Sequence, residues 1–244
     1  MFPSVVAADT KSGLVISDTD LWVIDYPTNL ENGDLIILIG CTGVSRTFTI
    51  SPPEGWFLAT GNLIGNVGTR FAAKKKANGT ETGTFNLDPV GAAQGVWRTI
   101  RIINWEGNIG TIFDNSSNAK DACQAGGAAS TSTSPDPASV SPAFGQSDTL
   151  WIAYFAADHG DTTTTAFPTG YTQEDHTTSG GHAQESGGAD GAAIGVAYRQ
   201  LNAVSENPGN FTIDQSEEWL ANLIAVRGPQ SGLYVHNISS TQRW

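Results

Sequence analysis

Short apolar runs alternate along the chain with stretches rich in Gly, Pro, Asn and Thr, and no segment sustains a 3.6-residue period. That pattern predicts strands joined by turns, with helix a minor component. Leu14-Val15-Ile16 and Leu21-Trp22-Val23-Ile24 read as short strands, and Pro27 to Gly33 as a turn. The run from Asp34 to Cys41 is apolar at successive positions, as expected of a strand covered on both faces. Pro52-Pro53-Glu54-Gly55-Trp56 is a turn that sets a large aromatic at the start of the next strand. Strands are then expected over Arg70–Ala77, Gly83–Leu87 and Trp97–Trp105.

The second half repeats this order. Ser147 to Phe155 matches the strand opened by Gly33-Asp34, and Phe167-Pro168-Thr169-Gly170-Tyr171 matches the Pro52–Trp56 turn. Val196 to Gln200 stands where Ala72 to Lys76 stood, Asn210 to Ile213 matches Thr84 to Leu87, and Trp219 to Val226 matches Trp97 to Asn104. The offset runs from about 114 (Asp34 to Asp148) to about 126 (Thr84 to Asn210). Five elements recurring in one order mark an internal repeat.

Two readings of the repeat compete: two small β-domains, or two halves interleaved into one double-sheet sandwich. About five short strands per half bury little alone, so one sandwich has the better ratio of core to surface. The expected fold is therefore all-β: a jelly-roll-like double-sheet β-sandwich from two pseudo-repeated halves. The halves are placed at about 5–109 and 147–228, joined by a crossover over 110–146 that reads as an ordered connection or a surface loop. Residues 229–244 form a C-terminal arm, and 157–192 a second polar, Gly-rich stretch.

Composition narrows the partners. The 244 residues carry 12 basic and 24 acidic side chains, a formal charge of −12, whereas a nucleic-acid surface needs clustered Lys and Arg. The basic run Lys74-Lys75-Lys76 reads either as a solvated strand face that blocks edge pairing or as a docking patch for an acidic protein surface. Cys41 and Cys123 are too few for a disulfide framework, and Cys41 in its apolar run suits a buried thiol. The N-terminal segment shows no secretory leader, and the run Leu35–Ile39 is too short to span a bilayer. Neither nucleic acid nor membrane is an expected partner.

Candidate chemistry is sparse. Asp158-His159-Gly160-Asp161 clusters potential ligands, but the spacing fits no zinc pattern. There is no Gly-x-Ser-x-Gly elbow and no Gly-Lys-Ser/Thr phosphate loop. The adjacent Glu217 and Glu218 address opposite faces of a strand, which spoils them as a shared acid/base pair. No catalytic residue, metal or cofactor is therefore expected, and the chain is read as a non-enzyme. Trp22, Trp97, Trp151 and Trp219 are expected in the core. Trp56 and Tyr171, each beside a Pro-x-Gly turn, are the candidates for glycan contact.

The succession of Gly/Ser-Asp, apolar strand, Pro-x-Gly-Trp/Tyr, a strand with Lys or Arg near its end, and a Trp-led apolar strand resembles two-half β-sandwich proteins of tailed-bacteriophage virions. The likeness covers roughly residues 5–228. It implies a structural role without catalysis: a capsid decoration (cement) protein, oligomeric, held by the major capsid protein or other virion proteins on the capsid exterior. The alternative it implies is a host-recognition module of a tail or head fibre that binds cell-surface glycan. On this reading Tyr234, Arg243 and Trp244 of the arm, with Lys74, Lys75 and Lys76, are the partner-contact candidates.

Overall fold

A computed structural model describes residues 1–19, 21–42, 55–58, 70–87, 91–106, 123–174, 182–184 and 191–229. The first half supplies β1 (Ser4–Val5), β2 (Lys11–Thr19), β3 (Trp22–Asp25), β4 (Leu35–Thr42), β5 (Trp56–Leu58), β6 (Arg70–Lys76), β7 (Thr84–Leu87) and β8 (Ala93–Ile103). The second supplies β9 (Cys123–Ser132), β10 (Ser147–Ala157), β11 (Thr164–Ala166), β12 (Thr172–Gln173), β13 (His182–Gln184), β14 (Ala193–Ala203), β15 (Thr212–Ile213) and β16 (Glu217–Arg227). Among the described residues the one helical segment is a single 3-10 turn at Ala7–Asp9.

The repeat is visible in the strand order. One sheet runs β2-β8-β4-β6-β5, with β1 also on β8; the other runs β9-β16-β10-β14-β12, with β13 also on β14. Strand for strand the two orders coincide, and every pairing is antiparallel. Over the outer face of the first sheet lies the ribbon β3–β7. Over the second lies β15, paired to β11 and, through amides of Phe211 and Ile213, to the carbonyls of Pro135 and Thr133. Each half thus winds as a jelly roll, and the sandwich forms where their two large sheets stack.

The halves do not interleave strand by strand; each contributes one whole sheet. Part of the stretch expected to join them belongs to the second unit, because β9 is the edge strand beside β16 and occupies the place that β2 takes beside β8. The sequence Cys-Gln-Ala-Gly-Gly-Ala-Ala-Ser-Thr-Ser has no aromatic side chain and, in Thr131, a single β-branched one, so little announces a strand. Its pairing with the apolar β16 overrides that weak propensity.

Three cores follow from this stacking. Between the sheets, Leu35, Ile37, Ile39 and Cys41 of β4 meet Leu150, Ile152, Tyr154 and Ala156 of β10, flanked by Ile100, Ile194 and Ile224. Outside the first sheet, Ile36, Leu38 and Trp97 pack under Trp22, Ile24, Phe85 and Leu87. Outside the second, Trp151, Phe155, Trp219 and Leu223 pack under Phe211 and Ile213. This is why β4 is apolar at successive positions: both its faces are buried. The four strand tryptophans Trp22, Trp97, Trp151 and Trp219 all lie in the outer cores.

The cores also correct the alignment of the halves. Leu35, Ile37 and Ile39 share the inner core with Leu150, Ile152 and Tyr154, so β4 and β10 superimpose with an odd offset. Matching Asp34 to Asp148 is one residue out of phase, and a one-residue slip exchanges the faces of a strand. Of the matched turn, Pro52 to Glu54 lie outside the described residues, but the two glycines agree. Gly55 and Gly170 both adopt left-handed backbone, with φ of 93° and 80°, a conformation in which a Cβ is strained.

Both cysteines are thiols buried in the inner core, with no disulfide between them. The Cys41 thiol donates across the sandwich to the carbonyl of Ala157 at 3.4 Å.

Tight stacking makes a small residue obligatory at Gly95 of β8, where a Cβ would overlap the Cys41 carbonyl oxygen and the Trp22 ring. Gly95→Ala is expected to cost about 1–3 kcal/mol by overpacking, a fall in Tm of roughly 2–4 °C per kcal/mol for a chain of this size. Thermal unfolding checks it, and an unchanged Tm would contradict the stacking of Trp22 on β8.

Candidate functional site

The residues singled out by sequence are scattered. Tyr234, Arg243 and Trp244 lie outside the described residues, as do His176 and Asp175 of the polar stretch. Lys74, Lys75 and Lys76 fall on β6, where they pair with Ile37, Ile36 and Leu35 of β4, and Lys75 also pairs with Trp56 of β5. Lys76, at the end of the strand, is exposed.

Trp56 is buried rather than offered to solvent. Its ring packs 5.1 Å from Phe85 in the first outer core, and Phe85 in turn stacks 4.6 Å from Tyr26. Tyr171, which also follows a left-handed glycine, is half-buried against the second outer core. Its hydroxyl donates to Glu206 at 3.2 Å and the Arg199 guanidinium sits 5.1 Å over its ring. Burial pushes the Tyr171 hydroxyl pKa far up, the Glu206 charge adds to the rise, and the phenol remains a neutral donor. Neither ring presents a free face on which a sugar could stack.

The charged residues that the fold uses most lie elsewhere. Arg98 projects from β8 between the sheets and reaches Glu174, just beyond β12, pairing with its carboxylate and donating to its backbone carbonyl at 2.8 Å. Both side chains are fully buried, so this ion pair links the two halves through the protein interior. Arg101, three residues on, holds Asp34 at 2.6 Å through Nε and Asp9 at 2.7 Å through Nη1. The other Asp9 oxygen accepts from Thr28 at 2.9 Å and Asn29 at 2.7 Å. Burial works to raise the Asp9 carboxyl, but the hydrogen bonds from Thr28, Arg101 and Asn29 outweigh it and hold the pKa below the usual range. Asp9 and Asp34 in turn raise the Arg101 pKa against its own desolvation.

These roles had a faint signal in the sequence. Trp97-Arg98-Thr99-Ile100-Arg101 places two guanidinium groups in an apolar strand, and a charge in such a setting must be paired. What the sequence withholds is the partner: Glu174 is 76 residues away and Asp9 is 92.

His159, the centre of the suspected ligand cluster, instead closes a turn: its Nδ1 accepts the Asp161 amide at 3.3 Å and lies 3.1 Å from Gln215 Nε2. Among the described residues no three His, Cys, Asp or Glu side chains gather as a metal site would require. Glu217 and Glu218 open β16 opposite Ser132 and Thr131 of β9. Among the described residues no helix is long and apolar enough to cross a membrane. Comparisons with protein-family models, curated proteins and solved structures find no match to this chain.

Two predictions follow from the charge networks. Removing one member of the buried pair, as in Arg98→Met or Glu174→Leu, leaves the other charge stranded and is expected to cost about 3–5 kcal/mol. The double replacement should recover much of that loss in denaturant unfolding; a double variant as unstable as the sum of the singles would contradict the pairing. Asp9 has a lowered native pKa, so its stabilising contribution is complete above the unfolded-state value and is lost as pH falls through the native one. Below about pH 4 the Tm of the native protein should therefore fall more steeply than that of Asp9→Asn. Parallel slopes would mean that Asp9 is not held ionised by Arg101.

Proposed function

We propose that this protein is a virion structural component of a tailed phage, a capsid decoration protein that docks on the head exterior and stabilises it by contacting coat subunits. The observation that carries this reading is the duplication. A single chain presents two copies of one β-unit back to back, and two like faces suit a part that bridges neighbouring, like coat subunits. The pattern of turns and strands that resembles phage virion proteins adds to it. So does the use of buried charge for pairing within the fold, at Arg98–Glu174 and Arg101–Asp9–Asp34. On this proposal the contacts to the major capsid protein come from the 229–244 arm and the Lys74–Lys76 strand, and the protein assembles as an oligomer on the shell.

The test is co-sedimentation of the purified protein with mature heads stripped of their decoration and, separately, with host cells. Saturable binding to heads, lost when 229–244 is removed while Tm is unchanged, is the expected outcome. Binding to cells alone overturns the decoration reading in favour of a fibre-type adhesin.

A further inference from the structure

At the end of the β3–β7 ribbon the surface opens into a cleft of about 620 Å³, lined on one side by Asp25 to Leu30, on the other by Gly79 and Glu81 to Gly83, with Lys11 of β2 beside them. The volume lies in the range of small-ligand sites. Unlike an ordinary loop crevice, both walls are braced from beneath. Thr28 and Asn29 are held by the Asp9 carboxylate, itself fixed by Arg101, and the Thr28 amide donates to the Asp9 carbonyl at 3.0 Å. Asn29 accepts left-handed backbone, φ 54°, to sit there. Opposite, the buried Glu81 takes the amides of Asn78 and Gly79 at 3.0–3.1 Å. The Tyr26 amide ties the walls together through the Gly83 carbonyl at 3.0 Å. Bracing of this kind holds a site in one shape before anything binds.

The lining selects a ligand class. Tyr26, Pro27 and Leu30 supply an apolar strip, and around it stand a cation (Lys11), a carboxylate (Asp25) and the polar side chains of Thr28, Asn29 and Thr82. A phosphorylated or otherwise anionic ligand would meet Asp25 and Glu81. A purely apolar one would desolvate Lys11 and Asp25 without compensation. A neutral sugar fits both demands, because each hydroxyl donates to a carboxylate or accepts from an ammonium while the ring carbons cover the apolar strip. We propose that this cleft binds neutral saccharide units. Tyr26 closes its floor, the ring held 4.6 Å from Phe85 in the core beneath, and Leu30 offers the more open apolar surface. The site is independent of head attachment and stands whether or not the protein decorates a shell.

Ligand-observed NMR with maltotriose, cellotriose and triacetylchitotriose tests it, at probe concentrations up to about 10 mM, the weak end of the affinity scale. At least one of these neutral probes is expected to show saturable binding, and glucuronate and glucose 6-phosphate to bind more weakly. Asp25→Ala removes an exposed hydrogen-bonding charge and Thr82→Arg fills the cleft. Each should weaken the neutral probe about tenfold or more with Tm unchanged. No binding by any probe, anionic probes that bind more tightly, or affinity untouched by both variants would each overturn the proposal. Head occupancy of Asp25→Ala in co-sedimentation should equal that of the parent, which separates failure of this site from failure of the docking reading.

Discussion

A sheet that is apolar on both faces cannot be left with one of them in water, and the architecture follows from that constraint. β4, β10 and β16 bury almost every side chain along their length. Stacking the two large sheets covers the inner faces, but stacking alone would leave Ile36, Leu38 and Trp97 on one side and Trp151, Phe155 and Leu223 on the other exposed. Each fully buried side chain of this size contributes roughly 1.5–3 kcal/mol, so open outer faces would forfeit much of the stability and create apolar patches prone to association. The ribbon β3–β7 and its counterpart around β15 remove that liability. Ribbon, sheet, sheet, ribbon is the smallest closed arrangement that two copies of such a unit can make.

The buried charges fit the same constraint. Between stacked sheets a buried guanidinium needs a partner, and Arg98 finds one in Glu174, which arrives from the other half. An apolar pair in that place would pack at no electrostatic cost. The ion pair does what an apolar pair does not: it penalises any sliding of one sheet over the other that would separate the charges. Arg101 plays the corresponding part at the sheet's outer edge, where Asp9, Asp34, Thr28 and Asn29 gather the loops around one cation.

Much of this was legible in the chain. The apolar strands, the Pro-x-Gly-aromatic turn and the order of the repeat are local patterns, and local patterns survive into the fold. What escaped depends on pairing over distance. β9 is built of small residues and is a strand only because β16 lies beside it. The phase between Asp34 and Asp148 is invisible until the faces are known, since apolar residues on both sides of β4 erase the alternation that fixes register elsewhere. Trp56 sits by a turn, which suggests exposure, but Phe85 and Tyr26 close over it. The braced cleft has no sequence signature at all, because Asp9, Asn29 and Glu81 become neighbours only through the winding of the jelly roll.

Where the two units differ is as informative as where they agree. After β6 and after β14 the chain carries a buried glutamate shortly before a core phenylalanine, Glu81 before Phe85 of β7 and Glu206 before Phe211, which leads into β15. In the second unit Glu206 ties its loop down to the sheet, binding Arg199 and the Tyr171 hydroxyl while its backbone bridges to Val140. In the first unit Glu81 turns onto its own loop amides, and the facing wall is held by Asp9 instead. The same position thus closes the surface in one copy and shapes the wall of a cleft in the other. Stability alone asks both copies for the closed form. The divergence therefore falls where a duplicated scaffold is free to take on a contact of its own, one unit keeping the tied-down surface while the other acquires a braced opening.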